Sequence, residues 1–114
     1  MSRINDFLRK SNSEYRKYVK TGDLDYLAQA GEKLWLVFNL LIEKLTGKKI
    51  RSHKMMKKEL MNLNDKYLWQ THDNAFRLHQ FFYGGWTEDP EDESNLYLDT
   101  LTRIETIMRK STAI

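Results

Sequence analysis

The chain has 114 residues, of which 31% are charged, and its 19 Lys and Arg exceed its 16 Asp and Glu, for a formal net charge of +3. A chain of this length corresponds to a single domain, residues 1–114, that buries about two-thirds of its unfolded surface. Because it contains no Cys, one Pro and five Gly, the composition excludes a disulfide scaffold, a thiolate metal site, a cysteine nucleophile and a collagen-like chain.

The apolar stretches of the sequence are too short to cross a membrane. The longest runs from Leu34 to Ile42 and is interrupted by Asn39, whereas a membrane-spanning helix needs about 20 apolar residues. The first residues show neither an apolar signal segment nor a glycine at position 2 for myristoylation. We therefore expect a cytoplasmic protein with no membrane partner.

The first two helices are predicted from apolar residues at intervals of three and four. The first pattern runs from Ile4 to Val19. It is followed by Gly22, which suits a left-handed C-terminal position, and by Asp23, which suits the N-cap of the next helix. The second pattern runs from Leu24 to Leu45 and is broken by Thr46-Gly47.

The second half of the second helix is apolar on all sides. Leu36, Val37 and Leu40 lie outside its main apolar stripe. A helix that is apolar all round is buried on more than one side. In so small a bundle this favours a second covering surface, and we expect these three residues to form a homodimer or partner interface.

Two further patterns predict the third and fourth helices. The third is expected to begin after Ser52 as N-cap. The fourth is expected to be capped by Thr71 or Asp73 and to end at Gly84-Gly85. One face of the third helix carries Met56, Leu60, Leu63 and Tyr67.

The fifth helix is predicted from its N-terminal residues. Asp89 is the expected N-cap, Pro90 suits the first helical position, and the acids between Glu88 and Glu93 suit the positive end of the helix dipole. No segment alternates apolar and polar residues over the length of a strand. The sequence therefore predicts an all-α, up-and-down bundle of about five helices.

Without Cys, transition-metal and acid–base chemistry would depend on the three His. His72 and His79 share a helix face but stand about 10 Å apart, at a rise of about 1.5 Å per residue. His53 lies in another segment. One ion cannot bind such separated side chains without help from another helix, and we expect no metal site and no cofactor.

His79 lies on the apolar stripe of the fourth helix, which favours a core histidine satisfied by neighbouring helices. Arg77 has an exposed partner of opposite charge in Asp73, four residues earlier. The alternative is a polar cluster at the mouth of the bundle in which His79 acts on a phosphodiester. The members of that cluster would be Asp73, Asn74, Arg77 and His79.

The clearest charge feature is an acid-free segment from Lys44 to Lys58, which we call the basic stretch. It favours a solvated face that pairs with the acids of Glu88 to Glu93. The alternatives are contact with nucleic acid phosphates and a membrane surface. Its seven cations are Lys44 and the candidate nucleic-acid-binding residues Lys48, Lys49, Arg51, Lys54, Lys57 and Lys58.

Two motifs resemble the archaeal PaREP-type proteins of the HEPN superfamily. The first runs from Gly22 to Trp35 and reads GDLDYLAQAGEKLW, similar to the "GD…QA.EKLW" helix of that family. The second runs from Ala75 to Gly85 and reads AFRLHQFFYGG, similar to the family's "A..LH..FY.G". Outside these motifs the resemblance consists of helix order and length.

This resemblance implies an up-and-down α-bundle that commonly dimerises. The superfamily is known for RNA cleavage, RNA binding and partnership with small nucleotidyltransferases in toxin–antitoxin and defence systems. Its ribonucleases carry an Arg shortly before a His of this late helix. His79 matches that His, whereas His72, Asp73 and Asn74 stand where the Arg belongs.

The missing Arg disfavours ribonuclease activity, because a phosphodiester transition state needs a cation or strong donors near its developing charge. We therefore expect a non-catalytic, homodimeric HEPN-like interaction protein. RNA and a nucleotidyltransferase are its candidate partners. The alternative is a degenerate, metal-independent ribonuclease that uses His79.

Overall fold

The computed structural model describes residues 2–112, and within that range it contains five α-helices and no strand. This confirms the predicted all-α helical bundle. No helix in the described range is both long and apolar enough to span a bilayer. The helices are α1 (Ser2–Thr21), α2 (Leu24–Thr46), α3 (His53–Leu63), α4 (Lys66–Gly84) and α5 (Pro90–Thr112).

Helix α2 is the centre of the bundle, since it packs against α1, α3, α4 and α5. This placement explains why its second half is apolar on every side. Val37 is fully buried by the chain's own helices, so the expectation that it faces a partner is wrong. Leu36 remains 38% exposed and Leu40 is half-buried.

Most predicted helix boundaries are confirmed, and local hydrogen bonds explain them. The Asp23 carboxylate accepts a hydrogen bond from the backbone N–H of Asp25, and Ser52 Oγ accepts one from Met55. Asp89 caps α5 by accepting from the N–H of Glu91, with Pro90 as the first helical residue. These side chains satisfy N–H groups that lack a partner within the helix.

The boundary between α3 and α4 differs from the prediction. Asn64 adopts the left-handed conformation, with φ of 49°, and ends α3. Asp65 then caps α4 by accepting from the N–H groups of Tyr67 and Leu68. Helix α4 thus begins at Lys66, and the expected caps at Thr71 and Asp73 are wrong because an earlier cap takes precedence.

A close approach of α2 and α4 brings the residues of the candidate site together. Gly31 of α2 has no Cβ, and a Cβ added there would lie 3.1 Å from Cβ of Leu78 on α4. Both residues are buried in the core. The backbone of α2 at Gly31 therefore packs closely against the Leu78 side chain of α4. The neighbouring turns of α4 therefore face α2 at short range.

A buried hydrogen-bond chain joins α1, α2 and α5. Ser11 Oγ donates to the backbone oxygen of Ala30 at 2.8 Å and lies 2.7 Å from the hydroxyl of Tyr97. Because the single Ser11 proton is used on Ala30, Tyr97 donates to Ser11. Burial raises the pKa of Tyr97 to about 12, so this hydroxyl keeps its proton.

Candidate functional site

Trp35 of α2 lies at the centre of a group of five rings from three helices, which we call the histidine–aromatic cluster. Its ring centroid is 6.4 Å from that of His53, 5.7 Å from His72 and 5.1 Å from His79. Phe76 completes the cluster at 5.5 Å from Trp35. All three histidines of the chain therefore converge on one tryptophan.

Helix geometry explains the contribution of α4. His72, Phe76 and His79 are separated by four and three residues, so they form one face of the helix. The expectation that His72 and His79 share a face is thereby confirmed. That face is directed at α2, where Trp35 lies one turn beyond Gly31.

His53 belongs to another segment of the sequence but lies beside His72 in the structure. His53 is the first residue of α3 and follows the N-cap Ser52, which fixes where the helix starts. Its Nε2 lies 3.3 Å from Nε2 of His72 on α4. The sequence pattern does not predict this contact, because the two residues belong to different helices.

The two contacting histidines have different environments. His72 is 2% exposed, and its Nδ1 lies 3.0 Å from the Asp73 carboxylate. His53 is exposed on one side and stacks on Phe76, with ring centroids 4.6 Å apart. Desolvation, followed by the charges of His72 and Lys57, lowers the pKa of His53, so this ring favours its neutral form.

His79 is paired with an acid that sequence reasoning missed. Its Nδ1 lies 2.7 Å from Oε1 of Glu32 on α2, and both side chains are largely enclosed. Desolvation raises the pKa of Glu32, while the hydrogen bond to His79 opposes that rise. The available signal was the spacing of Glu32, Trp35 and Asn39, which forms a polar and aromatic ridge beside the apolar stripe of α2.

The other polar candidates of α4 are not grouped with His79. Asn74 donates to the Asp99 carboxylate of α5 at 2.8 Å. Arg77 lines a different depression, together with Trp86 and Glu93. Asp73 contacts His72 instead. The alternative polar cluster around His79 is therefore not formed by these three side chains.

A cleft of about 380 Å³ opens over the histidine–aromatic cluster. It is lined by Trp35, Phe76 and His79 of the cluster and by residues of the connector before α3. Arg51 of the basic stretch lies in the wall of the cleft. The remaining wall residues are Asn39, Ile50, Ser52, His53 and Met56.

The cations of the basic stretch are all exposed. Lys48 pairs with Glu59 at 3.3 Å, and Glu59 is almost fully buried. The acids near the start of α5 have other roles, since Asp89 caps that helix and Glu93 accepts from Thr87. Lys48 thus pairs with an acid of α3 and not with the acids at the start of α5.

Exposed aromatic rings extend the cluster toward the surface. Tyr83 is 73% exposed and contacts the ring of His79 edge-on, with centroids 4.7 Å apart. Phe82 contacts Tyr83 in the same manner at 5.4 Å. The C-terminal end of α4 therefore presents aromatic edges beside the cleft.

Within the described residues, no group of three or more His, Cys, Asp or Glu is placed to hold a metal ion. The chain matches no family model, no curated protein and no solved structure.

Proposed function

We propose that this protein is a non-catalytic RNA-binding module and that single-stranded RNA binds in the cleft over the histidine–aromatic cluster. One observation carries the proposal: exposed cations of the basic stretch flank a cleft lined by partly exposed aromatic rings. Cations that contact the backbone, combined with rings that stack on bases, are the usual elements of single-strand binding.

The electrostatic support comes from the start of α3. Arg51 lies in the cleft wall, and Lys54 and Lys57 are exposed in the first turns of the helix. The first turn of α3 contains no acid, so the positive end of its dipole adds to these charges. A phosphate at this position would meet several positive groups at once.

The aromatic support comes from the stacked rings beside those charges. His53 and Phe76 lie 4.6 Å apart at an interplanar angle of 28°, and Tyr83 presents a largely exposed ring nearby. A base stacked on such rings gains about 1–3 kcal/mol, whatever its identity. This predicts binding with little sequence preference.

The test is fluorescence anisotropy with a labelled single-stranded RNA at several salt concentrations. A variant carrying Lys54→Glu, Lys57→Glu and Lys58→Glu should bind at least about tenfold more weakly than the parent protein. Its plot of log affinity against log salt should also flatten by about two units, since each lost phosphate contact contributes about 0.7.

A matched control changes net charge equally on another helix. Lys10→Glu, Arg16→Glu and Lys20→Glu on α1 remove three exposed cations away from the cleft. This variant should retain RNA affinity to within about threefold. Equal losses in both triple variants, or unchanged binding after the α3 substitutions, would contradict the proposal.

One observation favours a ribonuclease as the second candidate function. The contact between His79 and Glu32 holds an imidazole in the wall of the cleft, and a carboxylate-oriented histidine is a common general base. This activity would be metal-independent, with His79 acting on the RNA 2′-hydroxyl. Cleavage by a His79→Ala protein at the parent rate would rule out this role.

The HEPN resemblance and the nucleotidyltransferase partner remain predictions. A nucleotidyltransferase gene beside this one would support a toxin–antitoxin or defence role. Co-purification of the two proteins after joint expression would test the partnership directly, and separate elution of both proteins in size-exclusion chromatography would contradict it.

A further inference from the structure

The contact between His53 and His72 brings two imidazole nitrogens to a distance suited to metal coordination. The two Nε2 atoms lie 3.3 Å apart, and the ring centroids lie 5.4 Å apart. We propose that these two histidines form a site for a divalent transition-metal ion such as Zn²⁺, which bridges α3 and α4.

The distance between the two nitrogens supports this proposal. Zinc binds histidine nitrogen at about 2.0–2.1 Å, and two such ligands at a tetrahedral angle are separated by about 3.3–3.4 Å. The observed separation of 3.3 Å between the two Nε2 atoms matches this distance. The separation of the two nitrogens would therefore change little when an ion binds both of them.

Asp73 supplies the second feature of such a site. Its Oδ1 lies 3.0 Å from Nδ1 of His72. Metal-binding histidines usually donate their other N–H to a carboxylate or carbonyl, which fixes the tautomer. With its proton on Nδ1, His72 presents the lone pair of Nε2 toward His53.

The surroundings hold one ring rigid and leave the other accessible. His72 is 2% exposed and packed between Trp69 and Phe76, with centroids 5.8 Å and 5.9 Å away. His53 faces solvent at the edge of the cleft. An ion can therefore enter from the cleft, where water would supply its remaining ligands.

The test is calorimetric titration of the tag-free protein with ZnCl₂ in the absence of RNA, so that the result is independent of the proposed RNA binding. The parent should bind one equivalent of Zn²⁺. His53→Ala removes one ligand at an exposed position and should weaken this binding at least about tenfold. His79→Ala is the matched control, because it removes a histidine of the same cluster but should leave Zn²⁺ affinity unchanged.

Asp73→Asn provides a second variant that keeps both ligands. Loss of the carboxylate should weaken Zn²⁺ binding by about 10- to 100-fold, the range typical when a group that hydrogen-bonds to a metal ligand is removed. Circular dichroism would confirm that each variant is folded. The proposal is overturned if the parent binds no Zn²⁺, or if His53→Ala binds it as tightly as the parent and the His79→Ala control.

Discussion

Two partly buried acids, Glu32 and Glu93, have raised pKa values for the same principal reason. Burial disfavours the carboxylate in each case. They differ in their partners, since Glu32 contacts a histidine whereas Glu93 accepts from the Thr87 hydroxyl. Oε2 of Glu93 is buried without a hydrogen-bond partner. A negative charge at this position is costly to bury, so we expect ionised Glu93 to destabilise the fold.

The raised pKa of Glu93 leads to a prediction about stability and pH. Between its ordinary pKa of 4.5 and its higher folded value, the folded state binds more protons than the unfolded state. This contribution to stability is therefore present below pH 4.5 and lost as pH rises through the folded pKa. In Glu93→Gln, which retains an acceptor for Thr87, that loss is absent.

Urea unfolding at pH 4 and pH 7 measures this effect. The free energy of unfolding of Glu93→Gln, relative to the parent, should increase from pH 4 to pH 7. Glu91→Gln, at an exposed position of the same turn, is the control for the change in net charge. A relative stability that stays constant or falls with pH would contradict the linkage.

At the scale of single residues, the sequence identified His79 and His72 as candidates but missed Glu32 as the partner of His79. The reason is physical. Glu32 and His79 are 47 residues apart, and whether an acid lies opposite a histidine depends on the rotation of two helices about their axes. Periodicity shows which face a residue shares with its neighbours, but it does not specify the facing residue on another helix.

Among the helices, the packing of α2 against α4 controls the geometry of the cleft. Gly31 permits the close approach, because a side chain there would meet Leu78. The opposing effect is helix propensity, since Ala is favoured over Gly inside a helix by about 1 kcal/mol. Overpacking a core costs about 1–3 kcal/mol, so the steric effect should dominate.

We accordingly expect Gly31→Ala to lower the free energy of unfolding by about 1 kcal/mol. Gly84→Ala is the matched control, because a Cβ at Gly84 of α4 meets no atom within 4 Å. That variant should be neutral or more stable by up to about 1 kcal/mol. Urea denaturation of both proteins decides the matter, and a stabilised Gly31→Ala protein would show that Leu78 can move aside.

Helix boundaries could be predicted wherever a cap and a break in periodicity coincide. Asp23, Ser52 and Asp89 are such positions, and the structure confirms all three caps. The boundary between α3 and α4 at Asn64 and Asp65 was not predicted, because two consecutive polar residues are also typical of a weakly defined helix end. The positive φ of Asn64 ends one helix, and the N-cap of Asp65 starts the next one immediately.

At the scale of the whole molecule, the proposed homodimer depends on the apolar residues that α2 leaves exposed. Leu36 is 38% exposed and Leu40 is half-buried on the same helix. These residues could pack against a second copy, whereas Val37 belongs to the core. The area available for dimerisation is thus smaller than the sequence indicated.

Light scattering at micromolar concentration should show a mass twice that of the chain. Leu36→Arg should shift the protein to monomer, because a charge at an apolar interface is costly to bury. Met61→Arg is the control, since Met61 is 69% exposed on α3. A monomeric parent protein would exclude the homodimer, and a dimer that persists in Leu36→Arg would place the interface elsewhere.

The sequence by itself determined the helical class of the bundle, most helix boundaries and the basic stretch. These features depend on contacts between neighbours along the chain, which periodicity and capping residues encode directly. Only the tertiary structure decided that Val37 is internal, that Glu32 meets His79 and that His53 meets His72. Those contacts join residues on different helices, so they arise from how α2, α3 and α4 pack and not from any local pattern.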